Sequence, residues 1–145
     1  MYTDTSVAKN YGKGYIYSVA SRNGSEASNF DQRGAAIYRL KPPTLTKITN
    51  SETGAATVSW SNIFGRTETN GAYDLQYTKY KDGKAGTFKS VIARPGFNNQ
   101  THGTTVIDLK KGCRYVFRIR CSKTNKDRGT YYSEYSPWLS VTIGK

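Results

Sequence analysis

The sequence predicts an all-β sandwich, and three observations carry that prediction. Residues 113–121 alternate strictly: Cys113, Tyr115, Phe117, Ile119 and Cys121 share one parity, while Arg114, Arg118 and Arg120 share the other. Alternation of aromatic and β-branched residues with cations marks a half-buried antiparallel strand. Further short alternating runs follow one another, separated by the turn formers Gly54, Asn70-Gly71, Asp82-Gly83 and Pro95-Gly96. No segment shows the 3.6-residue period of an amphipathic helix.

Residues 12–40 come first and contain two strand-like runs, Gly14 to Ser21 and Ala35 to Leu40. Lys41-Pro42-Pro43-Thr44 punctuates the chain there, since prolines cannot donate to a sheet ladder and favour extended linkers. A fuller set of strands follows. Leu45 to Thr49 is the first. Ala55 to Trp60 places Ala56, Val58 and Trp60 on one face, and Tyr73 to Tyr80 turns Tyr73, Leu75 and Tyr77 inward. Phe88 to Ile92 reads as an edge strand. Thr104 to Leu109 is expected to point Thr105, Ile107 and Leu109 inward. The run after Gly112 and the segment Leu139 to Ile143 close the set, and about 100 residues suffice for one two-sheet domain.

The chain also repeats itself. Gly12-Lys13-Gly14-Tyr15-Ile16-Tyr17-Ser18-Val19 lines up with Gly112-Cys113-Arg114-Tyr115-Val116-Phe117-Arg118-Ile119, 100 positions on. Ser25-Glu26-Ala27-Ser28 is set against Ser133-Glu134-Tyr135-Ser136, and each copy ends in another short strand. The expected organisation is therefore residues 1–40 as the C-terminal strands of a truncated preceding repeat, 41–43 as a linker, and 44–145 as a complete module. A lone hairpin is marginal in water, so weak self-association through residues 1–40 is an expectation.

Charge and cysteines bound the function classes. The 145 residues carry a formal net charge of +12. Residues 1–41 hold six basic and three acidic groups, and 42–145 hold 16 and seven, so the charge is spread. It is compatible with anionic glycans or a polyanionic wall, and no basic cluster points to nucleic acid. Cys113 and Cys121 lie roughly 26 Å apart on one strand, at ~3.3 Å per residue, too far for a disulfide. Shared inward parity predicts that both are buried, inert thiols. No run of 18 apolar residues is present, so no membrane-spanning helix is expected. Met1-Tyr2-Thr3-Asp4 lacks the features of a signal peptide. That leaves a cytosolic protein or an excised piece of a larger chain, and the repeat favours the piece.

No catalytic set emerges. His102 is alone in a polar turn, the acids are scattered, and Gly12-x-Gly14 leads into a strand instead of a phosphate-binding helix. No catalytic residue, cofactor or metal is predicted. Asp127-Arg128-Gly129 has the wrong order for an Arg-Gly-Asp loop, and Asn23-Gly24-Ser25 and Asn99-Gln100-Thr101 are chance-level glycosylation sequons.

The residues of 42–145 resemble a fibronectin type III domain, an immunoglobulin-like β-sandwich. The similarity rests on Pro42-Pro43 at the opening, Trp60 on the second strand, Tyr73-x-Leu75-x-Tyr77 on the third, Leu109-x-x-Gly112-x-x-Tyr115-x-Phe117-x-Ile119 as corner and sixth strand, and Ser133-x-x-Ser136 before the last strand. It implies structural roles for Trp60, Leu109, Tyr115 and Phe117, with the Tyr115 hydroxyl bonded back to the backbone. The phrasing of residues 2–19 is similar to tandem repeats of secreted and surface proteins of Gram-positive bacteria. That implies an extracellular or cell-surface module of a larger chain, one that accompanies an enzyme or an adhesin.

Tyr132-Ser133-Glu134-Tyr135-Ser136 resembles the Trp-Ser-x-Trp-Ser motif of cytokine receptors with this fold, whose aromatics stack on arginines of the preceding strand. By that likeness Arg118 and Arg120 form a cation–π ladder with Tyr132 and Tyr135. The alternative is that Arg118, Arg120, Tyr132, Tyr135 and Trp138 form a face for glycans or polyanions. The expected function is a non-catalytic spacer or protein-interaction module whose partners are the rest of its parent polypeptide and other proteins or glycans.

Overall fold

The computed structural model describes residues 3–6, 11–32, 34–51, 53–65, 69–93, 103–127 and 129–144. Among them, thirteen strands are present, all paired antiparallel: β1 (Gly14–Tyr17), β2 (Arg22–Asn23), β3 (Glu26–Ala27), β4 (Ala35–Tyr38), β5 (Leu45–Ser51), β6 (Ala55–Trp60), β7 (Gly71–Lys81), β8 (Lys84–Ala85), β9 (Lys89–Ala93), β10 (Gly103–Val106), β11 (Arg114–Asn125), β12 (Gly129–Tyr132) and β13 (Leu139–Thr142). Strands β5 to β13 build an immunoglobulin-like β-sandwich of the fibronectin type III kind. One sheet runs β10-β6-β5. In the other, β7 lies between β9 and β11, and both β12 and β13 pair with the far edge of β11.

Parity explains the core. Ala56, Val58 and Trp60 from β6 face Tyr73 and Leu75 from β7 and Tyr115, Phe117, Ile119 and Cys121 from β11, and all are buried. Fully burying a Leu, Ile or Phe side chain contributes about 1.5–3 kcal/mol, so this parity outweighs any single turn in fixing the register. The Trp60 and Tyr73 rings meet at 5.4 Å, and Phe117 stacks on Tyr77 at 5.8 Å with 24° between planes. Tyr73 closes the end of the sandwich: its hydroxyl accepts from the Ile63 amide at 3.0 Å and donates to Asn62 Oδ1.

The corner ahead of β11 is built from Leu109, Gly112 and Tyr115. The Tyr115 hydroxyl accepts the Lys110 amide at 3.0 Å, and the buried Leu109 donates its own amide to Gly54 O at 2.8 Å. Gly54, at φ 82°, lies so close to Leu109 that a Cβ would sit 2.7 Å from the Leu109 carbonyl oxygen. Backbone approach, not only turn conformation, therefore demands glycine at 54.

Several expectations change. Thr105 and Ile107 do not point inward. β10 ends at Val106, which is buried, while Ile107 is 64% exposed. Asp108 at φ 59° then turns the chain so that Leu109 enters the core from the corner, out of phase with β10. Cys113 is only half-buried, because β11 begins at Arg114 and Cys113 belongs to the turn before it; Cys121 is fully buried. Gly129–Tyr132, which sequence reading does not mark as a strand, folds back on Ser122–Asn125 as a hairpin. The first-unit strands stop at Tyr17 and Tyr38, short of Ser21 and Leu40. Leu40 instead belongs to the core of the β5–β13 sandwich. His102, Asn99-Gln100-Thr101 and Arg128 lie outside the described residues.

Candidate functional site: an arginine–aromatic ladder

The outer face of the β7–β11 pair gathers charged and aromatic side chains into one continuous arrangement. Antiparallel register sets Arg118 opposite Gln76 and Arg120 opposite Asp74. Arg118 donates from Nε and Nη2 to Gln76 Oε1 at 3.0 and 2.8 Å, and Gln76 Nε2 donates on to Ser90 Oγ of β9 at 3.0 Å. Arg120 Nε donates to Asp74 Oδ2 at 3.0 Å, and the Tyr135 hydroxyl donates to the same oxygen at 3.2 Å. Each guanidinium is thus fixed in its own plane by an acceptor on the neighbouring strand, with both of its faces left for rings.

Rings fill those faces. Arg118 lies between Phe88, 3.9 Å from its centroid, and Tyr135 at 4.0 Å; Arg120 lies between Tyr135 at 4.7 Å and Tyr132 at 4.3 Å. Trp138 packs against Phe88 with centroids 5.8 Å apart. The order along the face is Trp138, Phe88, Arg118, Tyr135, Arg120, Tyr132. Each cation–π contact stabilises by ~0.5–2 kcal/mol, more where the pair is shielded from water. Burial, aided by the Asp74 charge, raises the Tyr135 phenol above its ordinary value, so it stays a protonated donor at neutral pH.

Ser133 and Ser136 present the rings to the arginines. Between β12 and β13 the chain leaves the β11 ladder, and these two buried serines bridge the gap. The Ser133 amide donates to Cys121 O at 2.9 Å, and the Ser133 hydroxyl accepts from the Cys121 amide at 3.0 Å. Ser136 does the same one step along, donating to Ile119 O at 2.7 Å and accepting from the Ile119 amide at 3.1 Å. The hydroxyls then donate to the carbonyls of Glu134 and Pro137. A hydroxyl is needed because it both accepts and donates, so the β11 amides facing the bulge keep partners.

All five residues singled out from the sequence therefore share this face. Arg118 and Arg120 stand in the middle, Tyr135 between them, Tyr132 at one end, and Trp138 at the other through Phe88. Tyr132 and Trp138 are exposed, whereas both arginines are half-buried. Trp60, Leu109, Tyr115 and Phe117 lie in the core or corner behind it. Sequence reading overlooked Asp74, Gln76 and Phe88. The first two carried a usable signal, being the polar parity of Tyr73-x-Leu75-x-Tyr77; Phe88 lies just outside β9 and carried none. Among the described residues, no three His, Cys, Asp or Glu side chains gather where a metal ion could be held.

No family model matches the chain. Human interleukin-6 receptor subunit beta is 32% identical over 116 residues, 77% of this chain and 12% of that protein. A solved cytokine receptor complex superposes with a TM-score of 0.56 at 19% identity, covering 74% of this chain and 54% of that one. The chain thus spans only a small part of the curated relative. The structural likeness agrees with the two-sheet topology and the Leu109–Tyr115 corner in giving the chain a β-sandwich fold of the fibronectin type III kind.

Proposed function

We propose that the chain is a non-catalytic protein-interaction module of a larger extracellular or cell-surface protein. The observation that carries this reading is the ladder: its cations are engaged within the fold by Asp74, Gln76 and three aromatic rings. It is a brace for the β7–β11–β13 sheet, and likeness to a receptor subunit supports protein contact as the work of the braced module. A bacterial secreted setting is the finer part of the same proposal, and the phrasing of residues 2–19 is its support. The glycan or polyanion alternative needs free cations on this face, and the engaged arginines weigh against it.

The two readings separate in one experiment. Residues 1–145 are titrated against immobilised heparin over a salt series and, in parallel, against a panel of extracellular protein ectodomains. The expected result is heparin binding that vanishes near 0.15 M salt and is unchanged by Arg118→Gln, with saturable binding to a protein ectodomain. Heparin binding that persists at that salt and is lost in Arg118→Gln, with no ectodomain bound, overturns the proposal.

A further inference from the structure

The first unit repeats a set of backbone hydrogen bonds found in the last third of the second, though the Tyr15 hydroxyl lacks the partner that Tyr115 has. Gly12 and Gly112 both adopt left-handed backbone, at φ 79° and 71°. Gly12 N donates to Arg39 O as Gly112 N does to Ile143 O, and Arg39 N donates to Lys13 O as Ile143 N does to Cys113 O. The Ser28 amide and hydroxyl bracket Ser21 as those of Ser133 bracket Cys121. Asp31 N donates to Val19 O as Ser136 N does to Ile119 O. The β2–β3 pair, with Arg22 opposite Ala27, matches the β11–β12 hairpin, with Ser122 opposite Tyr132. Ser28, rather than Ser25, is thus the counterpart of Ser133, a shift of three from the sequence pairing.

This equivalence identifies a core face that lacks its core. Tyr15, Tyr17 and Val19 occupy the places of Tyr115, Phe117 and Ile119, and Ile37 that of Val141. In the second unit these side chains meet Val58 and Trp60 of β6, Leu45 of β5 and Val106 of β10. In the first, Val19 is 78% exposed against 0% for Ile119, and Ile37 is 53% exposed. Tyr17, Val19, Phe30 and Ile37 line a groove of about 750 Å³. Thr3 and Asp4 form its rim, with Asp4 Oδ2 accepting from the Tyr17 hydroxyl at 3.0 Å.

We propose that this face is one half of a second sandwich, and that its occupant is a three-stranded sheet of the β5–β6–β10 kind carried by the stretch of the parent polypeptide preceding this segment. Residues 1–40 are then the C-terminal strands of that preceding repeat. The equivalence chooses this occupant, because the matching face of β11 and β13 is covered by the sheet of β5, β6 and β10. A second copy is disfavoured, because two chains of net charge +12 would have to be brought together.

The test is thiol labelling of Val19→Cys in residues 1–145 and in the full-length polypeptide. Buried Cys121 serves as the internal slow control, and Gly24→Cys in the exposed β2–β3 turn as the fast one. Hydrogen exchange of the β1 amides in both unsubstituted proteins provides a readout that does not depend on either variant folding. The expected result is labelling at residue 19 as fast as at residue 24 in the short chain and at least 100-fold slower in the full-length polypeptide, with β1 exchange slowed in parallel. Labelling that stays fast in the full-length polypeptide overturns the proposal. So does concentration-dependent protection in 1–145 alone with a dimer at sedimentation equilibrium, which would make a second copy the occupant.

Discussion

At the scale of single residues, burial and one hydrogen bond decide the chemistry. Tyr115 donates its ring to the core and uses its hydroxyl as an acceptor for the Lys110 amide. Tyr115→Phe keeps the ring and strands that amide, so urea unfolding should show a loss of about 1 kcal/mol. The two thiols should separate cleanly. Cys121 is fully buried, and burial raises its thiol above the ordinary value of 9.0, while Cys113 lies half-open in the corner turn. A thiol reagent at neutral pH should label Cys113 in the native state and reach Cys121 only on unfolding; equal rates would mean that the corner is open. Tyr73 and Tyr135 shift the same way, chiefly through burial. For each of these acids the folded value lies above the unfolded one, so the unfolded chain ionises first. Their contribution to stability is full below about pH 9 and is lost as pH rises through the folded values. Melting temperature should accordingly fall on the alkaline side, and Cys121→Ala should remove the thiol's share of that fall.

At the scale of elements, the ladder and the serine bridge act together. Ser133 and Ser136 hold the bulge against β11, and the bulge holds Tyr132 and Tyr135 against the arginines. Removing one hydroxyl strands a buried amide at Ile119 or Cys121, so Ser136→Ala or Ser133→Ala should each cost about 1–3 kcal/mol. Arg120→Ala should cost about 3 kcal/mol, because it removes the ion-pair partner of the mostly buried Asp74 side chain. A double-mutant cycle between Ser136→Ala and Arg120→Ala should give a coupling above 0.5 kcal/mol if bridge and ladder are one device; strict additivity would make them separate. Most of this was legible in the sequence, because period two sorts Tyr115, Phe117 and Ile119 from Arg118 and Arg120 without reference to any other strand. What was not legible depends on the third dimension. Ile107 carries the right alternation but lies beyond the last β10 pair, where Asp108 resets the phase. Phe88 is a single aromatic after a Gly-Thr step, and only the β7–β9 register brings it over Arg118.

At the scale of the whole molecule, the proposed division into two units turns on the residues around the linker. Sequence punctuation puts the linker at residues 41–43, between residues 1–40 and the module that follows. The contacts lie otherwise. Leu40 is 6% exposed and belongs to the second unit's core, Pro43 is buried, and Cys121 Sγ donates to Lys41 O at 3.4 Å. Ahead of Leu40 the first unit touches the second more lightly, through Tyr38 against Tyr131 at 6.4 Å and Lys123 over the Tyr38 ring at 5.5 Å. Two deletions therefore separate what one would confuse. Removing residues 1–38 takes away contacts at the periphery of the core and should change the stability of the remaining module by less than about 1 kcal/mol. Removing 1–41 also withdraws Leu40 and the Lys41 carbonyl, and by the measure of a buried leucine it should cost about 2–5 kcal/mol. Leu40→Ala in the intact chain should reproduce most of that difference, since it withdraws the same side chain and leaves the linker in place. Equal stability of the two deletions would place the boundary at the prolines and make Leu40 a passenger of the first unit. A collapse on removing 1–38 alone would make the two units one cooperative fold, so that β1 and β4 would have to melt together with β11.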